Sequence, residues 1–265
     1  MHRNTRRAAL CALIALPLAL SGCGGGSGSG TLTGAVLSGQ VLMGAGRPVY
    51  AGGAANVCLY AIIAGQGNPV NSTVTPPQST GTLLTTSCIP TDANGNFTAD
   101  LTSFYGPVLI QVTSGNYLSA ATGASAALTN LATTNASLQA VVNIAGGGTV
   151  HAVVTPLTTV ATAIALGNST TGFTLSNATY AAATAKVDGE FQLGGLDINT
   201  APAAGDAYDL ALNGVQQYLA APPGSTDDAS ANNLLTWNLA GSSVAADLTS
   251  AYNAINHTSA TFSFN

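Results

Sequence analysis

The chain has 265 residues, and only 6% of them are charged, five basic and ten acidic, for a formal charge of −5. Hydrophobic content of 46% and a mean hydropathy of +0.35 exclude a chain kept unfolded by its own polarity, so it must bury a core. Three of the five cations lie in the first seven residues, which leaves too few elsewhere to neutralise phosphates and excludes nucleic acid as a partner.

Arg3, Arg6 and Arg7 form a positive opening segment, and the run Ala8 to Leu20 behind them is apolar and uncharged. That pairing is the pattern of an export signal. The run is shorter than the roughly 20 residues of a membrane-spanning helix, and Pro17 interrupts it, so a permanent span is not expected. It ends in Leu20-Ser21-Gly22-Cys23, which resembles the bacterial lipobox: an aliphatic residue, two small ones, then the cysteine that is lipidated and becomes the new N-terminus. The resemblance implies a signal peptide over 1–22 and a lipid on Cys23. Residues 24–30 are all Gly or Ser, as a flexible tether between lipid and folded domain should be, so 23–30 is read as lipidated cysteine plus tether. Cleavage leaves Arg47 and Lys186 as the only cations and takes the formal charge from −5 to −8. A surface so charged does not favour anionic lipid, so the membrane contact is expected to be the lipid anchor alone. Gly24 rather than Asp after the cysteine points to the outer membrane as the destination.

With Cys11 in the signal and Cys23 lipidated, Cys58 and Cys88 remain as a pair in an oxidising compartment, where a disulfide is expected. On the chain-entropy account it stabilises by roughly 3–4 kcal/mol. No C-x-x-C or His-rich spacing points to a metal or redox site, and no cofactor is expected.

From residue 31 to 154 short β-rich runs alternate with Gly, Pro and Asn. Candidate strands are Ala35 to Leu42, Ala55 to Ile63, Gly81 to Ile89, Asn96 to Leu101, Val108 to Thr113, Ser137 to Ile144 and Thr149 to Val154. Seven short strands with turns between them predict an antiparallel β-sandwich. Val57, Leu59, Ala61 and Ile63 alternate, so one face of their strand points at a core and Cys58 lies on the other face or at an edge. Asn94-Gly95 marks a tight hairpin.

Gly39-Gln40-Val41, Val57-Cys58-Leu59-Tyr60, the hairpin Thr91-Asp92-Ala93-Asn94-Gly95-Asn96-Phe97 and Pro107-Val108-Leu109-Ile110-Gln111-Val112 come in an order that resembles the carboxypeptidase regulatory-like, or transthyretin-like, modules of bacterial surface lipoproteins. The resemblance covers under half of the chain. It implies an Ig-like sandwich serving as spacer or interaction unit rather than catalyst. Some Ig-like surface modules cross-link a lysine to an asparagine; here Lys186 lies outside the sandwich, which rules that bond out in this domain.

Residues 155–265 change texture. Thr155-Pro156 starts a helix with Leu157, Val160, Ala161 and Ile164 on one face, stopped by Gly167. Ser176 caps a second, with Leu175 and Tyr180 as a hydrophobic staple and Ala183, Val187 and Phe191 along its stripe. A third runs from Asp206 to Pro222, a fourth from Thr226 to Gly241, and a fifth follows Ser243 with Val244, Leu248, Tyr252 and Ile255. The fold class expected is therefore α+β in two domains, the sandwich followed by a small α-helical bundle. Thr261 to Asn265 alternates and reads as a short edge strand.

Catalytic groups are sparse. His151 sits in the apolar run Val150 to Val154, as a half-buried strand histidine does, and His257 at a helix end suits the helix dipole. No G-x-S-x-G elbow occurs, and neither histidine begins H-x-x-E or H-E-x-x-H. Asp92, Asn94 and Asn96 have the spacing that begins a calcium loop, but Gly95 is one place after Asn94 and position 12 is Ser103, which supplies no bidentate carboxylate. Asp188, Glu190 and Asp197 form an acidic patch that reads as solvated. The function expected is a lipid-anchored, non-enzymatic binding or scaffold protein of the cell envelope whose partner is an envelope protein or a glycan. The alternatives are a hydrolase of unfamiliar type with acidic residues between the domains, and a purely structural envelope component.

Overall fold

In the computed structural model of the protein, alternating polarity makes β1 (Ala35–Gly44) a two-faced strand: Ala35, Leu37 and Val41 are buried while Val36, Ser38 and Gln40 are half-buried. Residues 34–54, 56–63, 70–71, 78–79, 82–128, 137–166, 177–220, 233–239 and 243–264 are described here. β1 is the centre of a four-stranded sheet. It pairs antiparallel with β2 (Arg47–Pro48) and β6 (Asn96–Leu101), and parallel with β11 (Gly148–Val154) in the register Ala35↔Gly148 to Val41↔Val154. Phe97, Ala99 and Leu101 of β6 point inward and their neighbours outward, the period-two pattern of a strand with one wet face.

A second sheet has the order β10-β7-β3, all antiparallel: β3 (Val57–Ala61), β7 (Gly106–Val112) and β10 (Leu138–Ile144). Val108 to Val112 are all buried, as a continuous apolar run in a central strand should be. Two short ribbons complete the strands, β4 (Val70–Asn71) with β5 (Gln78–Ser79), and β8 (Asn116–Leu118) with β9 (Ser125–Ala127).

The protein is thus mixed α+β with antiparallel sheets, but several expectations need correction. The β1–β11 pair is parallel; its partners lie more than a hundred residues apart in sequence, and local alternation carries no information on strand direction. Gly81 to Ile89 is no strand among the described residues. It meets β3 only at the isolated bridges Tyr60↔Leu83 and Val57↔Ile89, and between them it bends away. Cys88 on this bend is joined to Cys58 by a disulfide, with 4.4 Å between the Cα atoms, so the covalent link clips the bend to the edge of β3. Ile63 lies past the end of β3 and is exposed rather than inward-facing.

The helices are α1 (Pro156–Leu166), α2 (Asn177–Glu190), α3 (Ala207–Ala220) and α4 (Val244–Asn256), with a further helical turn at 233–235. Thr155 caps α1 by a reciprocal pair: Thr158 N donates to Thr155 Oγ1 at 3.2 Å and Thr155 N donates to Thr158 Oγ1 at 2.8 Å. This is the geometry of a capping box with Thr in the place usually held by Glu or Gln. Leu157 through Thr162 are all buried, so α1 is a central helix rather than one with a wet face. α3 and α4 approach closely at Gly214, where a Cβ would lie 2.7 Å from Tyr252 Cδ2. The expected cap at Ser176, the staple residue Leu175 and the helix start at Thr226 lie outside the described residues.

Residues 261–264 form no strand. Phe262 and Phe264 instead pack into an aromatic cluster: Phe262 against Tyr252 at 5.1 Å between ring centroids, Phe264 against Trp237 at 5.3 Å and Phe191 at 5.4 Å. Aromatic burial outweighs pairing at an edge, because each ring removes far more surface from water than one ladder bond is worth.

One continuous apolar core runs from Ala35 and Leu37 on β1 through Leu157 and Val160 on α1 to Tyr218 on α3, Leu248 on α4 and Phe262, and residues Leu32–Asn265 form one compact unit. The change from strand to helix at Thr155 falls inside that core.

Candidate functional site

Cys23 lies outside the described residues. Of the remaining sequence candidates, the structure places His151 on β11 as an exposed side chain, not a half-buried one, because alternation along β11 turns Ala152 and Val154 inward and His151 out. His257 is the left-handed residue (φ 53) that terminates α4, and it too is exposed. Among the described residues neither imidazole is hydrogen-bonded to a side chain that could act as nucleophile or orienting acid.

Asp92 is occupied by its own hairpin. Asn94 N and Asn96 N each donate to its Oδ1 at 2.8 Å, and Asn96 Nδ2 donates to Oδ2 at 3.1 Å. These bonds, the backbone N–H of Asn96 above all, hold its carboxyl below the usual value. The exposed carboxylate is therefore spent on closing the turn rather than forming a ligand set with Asn94 and Asn96. In the acidic patch, Asp188 accepts from Gly195 N, Asp197 accepts from Asn199 N and Nδ2, and Glu190 lies 3.6 Å from Lys186. Among the described residues no three His, Cys, Asp or Glu side chains are grouped to hold a metal ion.

Three arrangements escaped sequence reasoning. The first is a set of buried hydroxyls. Thr155, Thr158, Thr159 and Thr162 are all buried along α1; Thr158 Oγ1 donates to Gln139 O and Gln139 N donates to Thr159 Oγ1, each at 2.8 Å, which fastens α1 to β10. Thr155 Oγ1 lies 2.7 Å from Tyr208 Oη, which donates to Ile198 O at 3.0 Å. Burial raises the Tyr208 phenol and pushes the nearby Tyr180 up to about 12, so both stay protonated at neutral pH, and Tyr208 serves as a fixed cross-link between Thr155 and Ile198. The signal was present in the spacing: threonines at positions 155, 158, 159 and 162 make a polar stripe on one helix face that no charge accompanies.

The second joins strands to helices. Asp209, buried on α3, accepts from Arg47 Nη2 at 2.7 Å and Ala45 N at 2.9 Å through Oδ1, and from Gly205 N at 3.0 Å through Oδ2. Arg47 also donates to Asn213. One turn further on, buried Gln216 donates to Met43 O at 2.6 Å and accepts from Ala120 N at 3.1 Å, linking α3 to β1 and to the β8–β9 turn. Arg47, one of the two cations beyond residue 7, is therefore consumed in holding the fold.

The third is a cleft of about 270 Å³ between β10, β11 and α2. Among the described residues β10 pairs with β7 alone and β11 with β1 alone, so the cleft lies where two sheet edges meet. Asn143, His151, Thr184 and Asn199 stand around it, Ala181 and Tyr180 line its α2 side, and the buried Tyr180 Oη has no well-placed hydrogen bond. A smaller hollow of about 180 Å³ shares Thr184 with it and is lined by Asp188 and Asp197. The cleft offers donors and acceptors, and among the described residues no acid, base and nucleophile are in mutual contact there; the arrangement can hold a small molecule.

No protein-family model, curated protein or solved structure matches this chain. Among the described residues no helix is long and apolar enough to cross a membrane.

Proposed function

We propose that this protein is a bacterial lipoprotein of the cell envelope, cleaved before Cys23 and held by lipid on that residue, whose exported part is a non-catalytic binding or scaffold unit. The observation that carries the reading is the sequence Leu20-Ser21-Gly22-Cys23 directly behind a positive, then apolar, opening segment and directly before seven residues of Gly and Ser. Several acyl chains on one cysteine, at about 0.8 kcal/mol per buried methylene, give a hold far beyond that of a single chain. Gly24 favours the outer membrane. The presence of two separate sheets with antiparallel pairing supports a carboxypeptidase regulatory-like module, and the commitment of Arg47, Asp92, Asp209 and the buried threonines to structural bonds supports binding over catalysis.

Two assays test it together. Envelope fractions washed with high salt and with carbonate retain the wild-type protein, and the purified full chain hydrolyses none of a panel of esters, glycosides and peptides. Release by salt, or a hydrolysis rate abolished by one point substitution, overturns the proposal. Pull-down from envelope extracts separates binding from pure scaffolding: a specific protein or glycan is recovered in the first case and none in the second.

A further inference from the structure

We infer that the cleft between β10, β11 and α2 binds a single neutral, polyhydroxylated six-membered ring, one sugar unit of an uncharged glycan. The inference rests on the proposed binding role and names its site and ligand class. Size comes first: about 270 Å³ is room for roughly nine waters, enough for one such ring with its substituents and too little for a folded partner. The chemistry of the walls comes next. Asn143 brings a carboxamide that donates and accepts, Asn199 a carboxamide whose Nδ2 already donates to Asp197 at 2.8 Å and keeps a second N–H, Thr184 a hydroxyl that donates to Ala181 O and can still accept, and His151 an exposed imidazole. The edges of β10 and β11 that face away from β7 and β1 add peptide N–H and C=O groups without a ladder partner.

Such groups match vicinal hydroxyls, each of which also donates and accepts. Ala140, Ala152 and Ala181 leave small apolar areas on which the C–H face of a ring can rest. Among the described residues no carboxylate, ammonium or guanidinium lines the cleft, so a charged ligand would enter without a counter-charge from them. Anionic sugars are disfavoured further by Asp188 and Asp197 in the hollow beyond Thr184. An extended peptide, the usual occupant of a strand edge, would have to run past Tyr180, Ala181 and Thr184 of α2, which line the other side of the cleft.

The test uses the full-length protein in a zwitterionic detergent without sugar headgroups. Saturation-transfer NMR and calorimetry are run with methyl glucoside, methyl mannoside, N-acetylglucosamine and N-acetylgalactosamine, with glucuronate and an uncharged tetrapeptide as counterparts. At least one neutral sugar binds saturably below about 50 mM. Asn143→Ala weakens it roughly tenfold, as loss of one hydrogen bond to the ligand should, and Ala181→Trp, a filling of the cleft from an exposed helix position, abolishes it with an unchanged melting temperature. Should Ala181→Trp lower the melting temperature, Ala181→Leu replaces it and gives at least a tenfold loss. The inference is overturned if no neutral sugar binds, if binding survives these substitutions, or if glucuronate or the peptide occupies the cleft. Recovery of a specific envelope protein together with any of those results sinks this inference and leaves the proposed function standing; hydrolysis of a substrate sinks the proposed function itself.

Discussion

Replacing Asp209 by Ala tests whether strands and helices fold as one body. The carboxylate has three donors, Arg47 Nη2, Ala45 N and Gly205 N, and only 9% of its side chain is exposed against 17% for Arg47. Breaking a buried ion pair by deleting one partner costs about 3–5 kcal/mol. Partial exposure of Arg47 lowers that to about 2–3, and two backbone donors left without an acceptor add back roughly 1 kcal/mol each. The expected loss is about 4 kcal/mol. Arg47→Ala should cost less, about 2 kcal/mol, because Asp209 keeps its two backbone donors. Urea unfolding followed by fluorescence of the sole tryptophan, Trp237, reports on the helical half, and far-ultraviolet circular dichroism reports on strands and helices together. Both probes should shift to lower urea by the same amount in a single transition. A loss under 1 kcal/mol, or a split into two transitions of which only one moves, would refute a shared core locked by Asp209.

Further outcomes follow from particular contacts. Gly39→Ala puts a Cβ 2.1 Å from Phe97 Cζ, a ring that is itself buried, so stability should fall by about 2–3 kcal/mol and recover in part when Phe97→Leu is added; an unchanged melting temperature would show the ring free to move. His257→Gly relieves a left-handed residue at the end of α4 and should raise stability by about 0.5–1 kcal/mol in the same urea assay, whereas a loss would mean the imidazole makes a contact that matters. Tyr180 and Tyr208 have phenols raised above their unfolded value near 10, so their contribution is complete below pH 10 and is lost as pH rises through their folded values. Between pH 10 and about 12 stability should fall by about 1.4 kcal/mol per pH unit for each, a slope that Tyr180→Phe reduces; a flat profile to pH 12 would contradict their burial.

Strands with strong alternation were legible in the sequence. Asn96 to Leu101 was read with the bounds it has, and β1, β3, β7, β10 and β11 were placed to within three residues at either end because polarity alternates or stays apolar along them. The Thr-Pro start of α1 was legible for the same local reason. The β8–β9 ribbon was missed, since strands of three residues give too few periods to register, and Gly81 to Ile89 was over-read because its composition, not its pairing, looked like a strand. The tail at 261–264 alternates, yet its rings fit a pocket assembled from Phe191, Trp237 and Tyr252, and that pocket exists only once distant helices meet. The disulfide was legible from elimination of the other cysteines. The cleft was not, because its walls come from two strand edges, α2 and the turn carrying Asn199, and nothing local marks them as neighbours.

The most direct test of the proposed anchoring is the mass of the mature N-terminal peptide, taken from membranes of cells expressing the wild type and Cys23→Ser. The wild type should yield a peptide beginning at Cys23 whose excess mass corresponds to a diacylglyceryl group with or without a further acyl chain, and Cys23→Ser should yield neither that peptide nor labelled palmitate. An N-terminus at another residue, or an unmodified Cys23 in the mature protein, would contradict it.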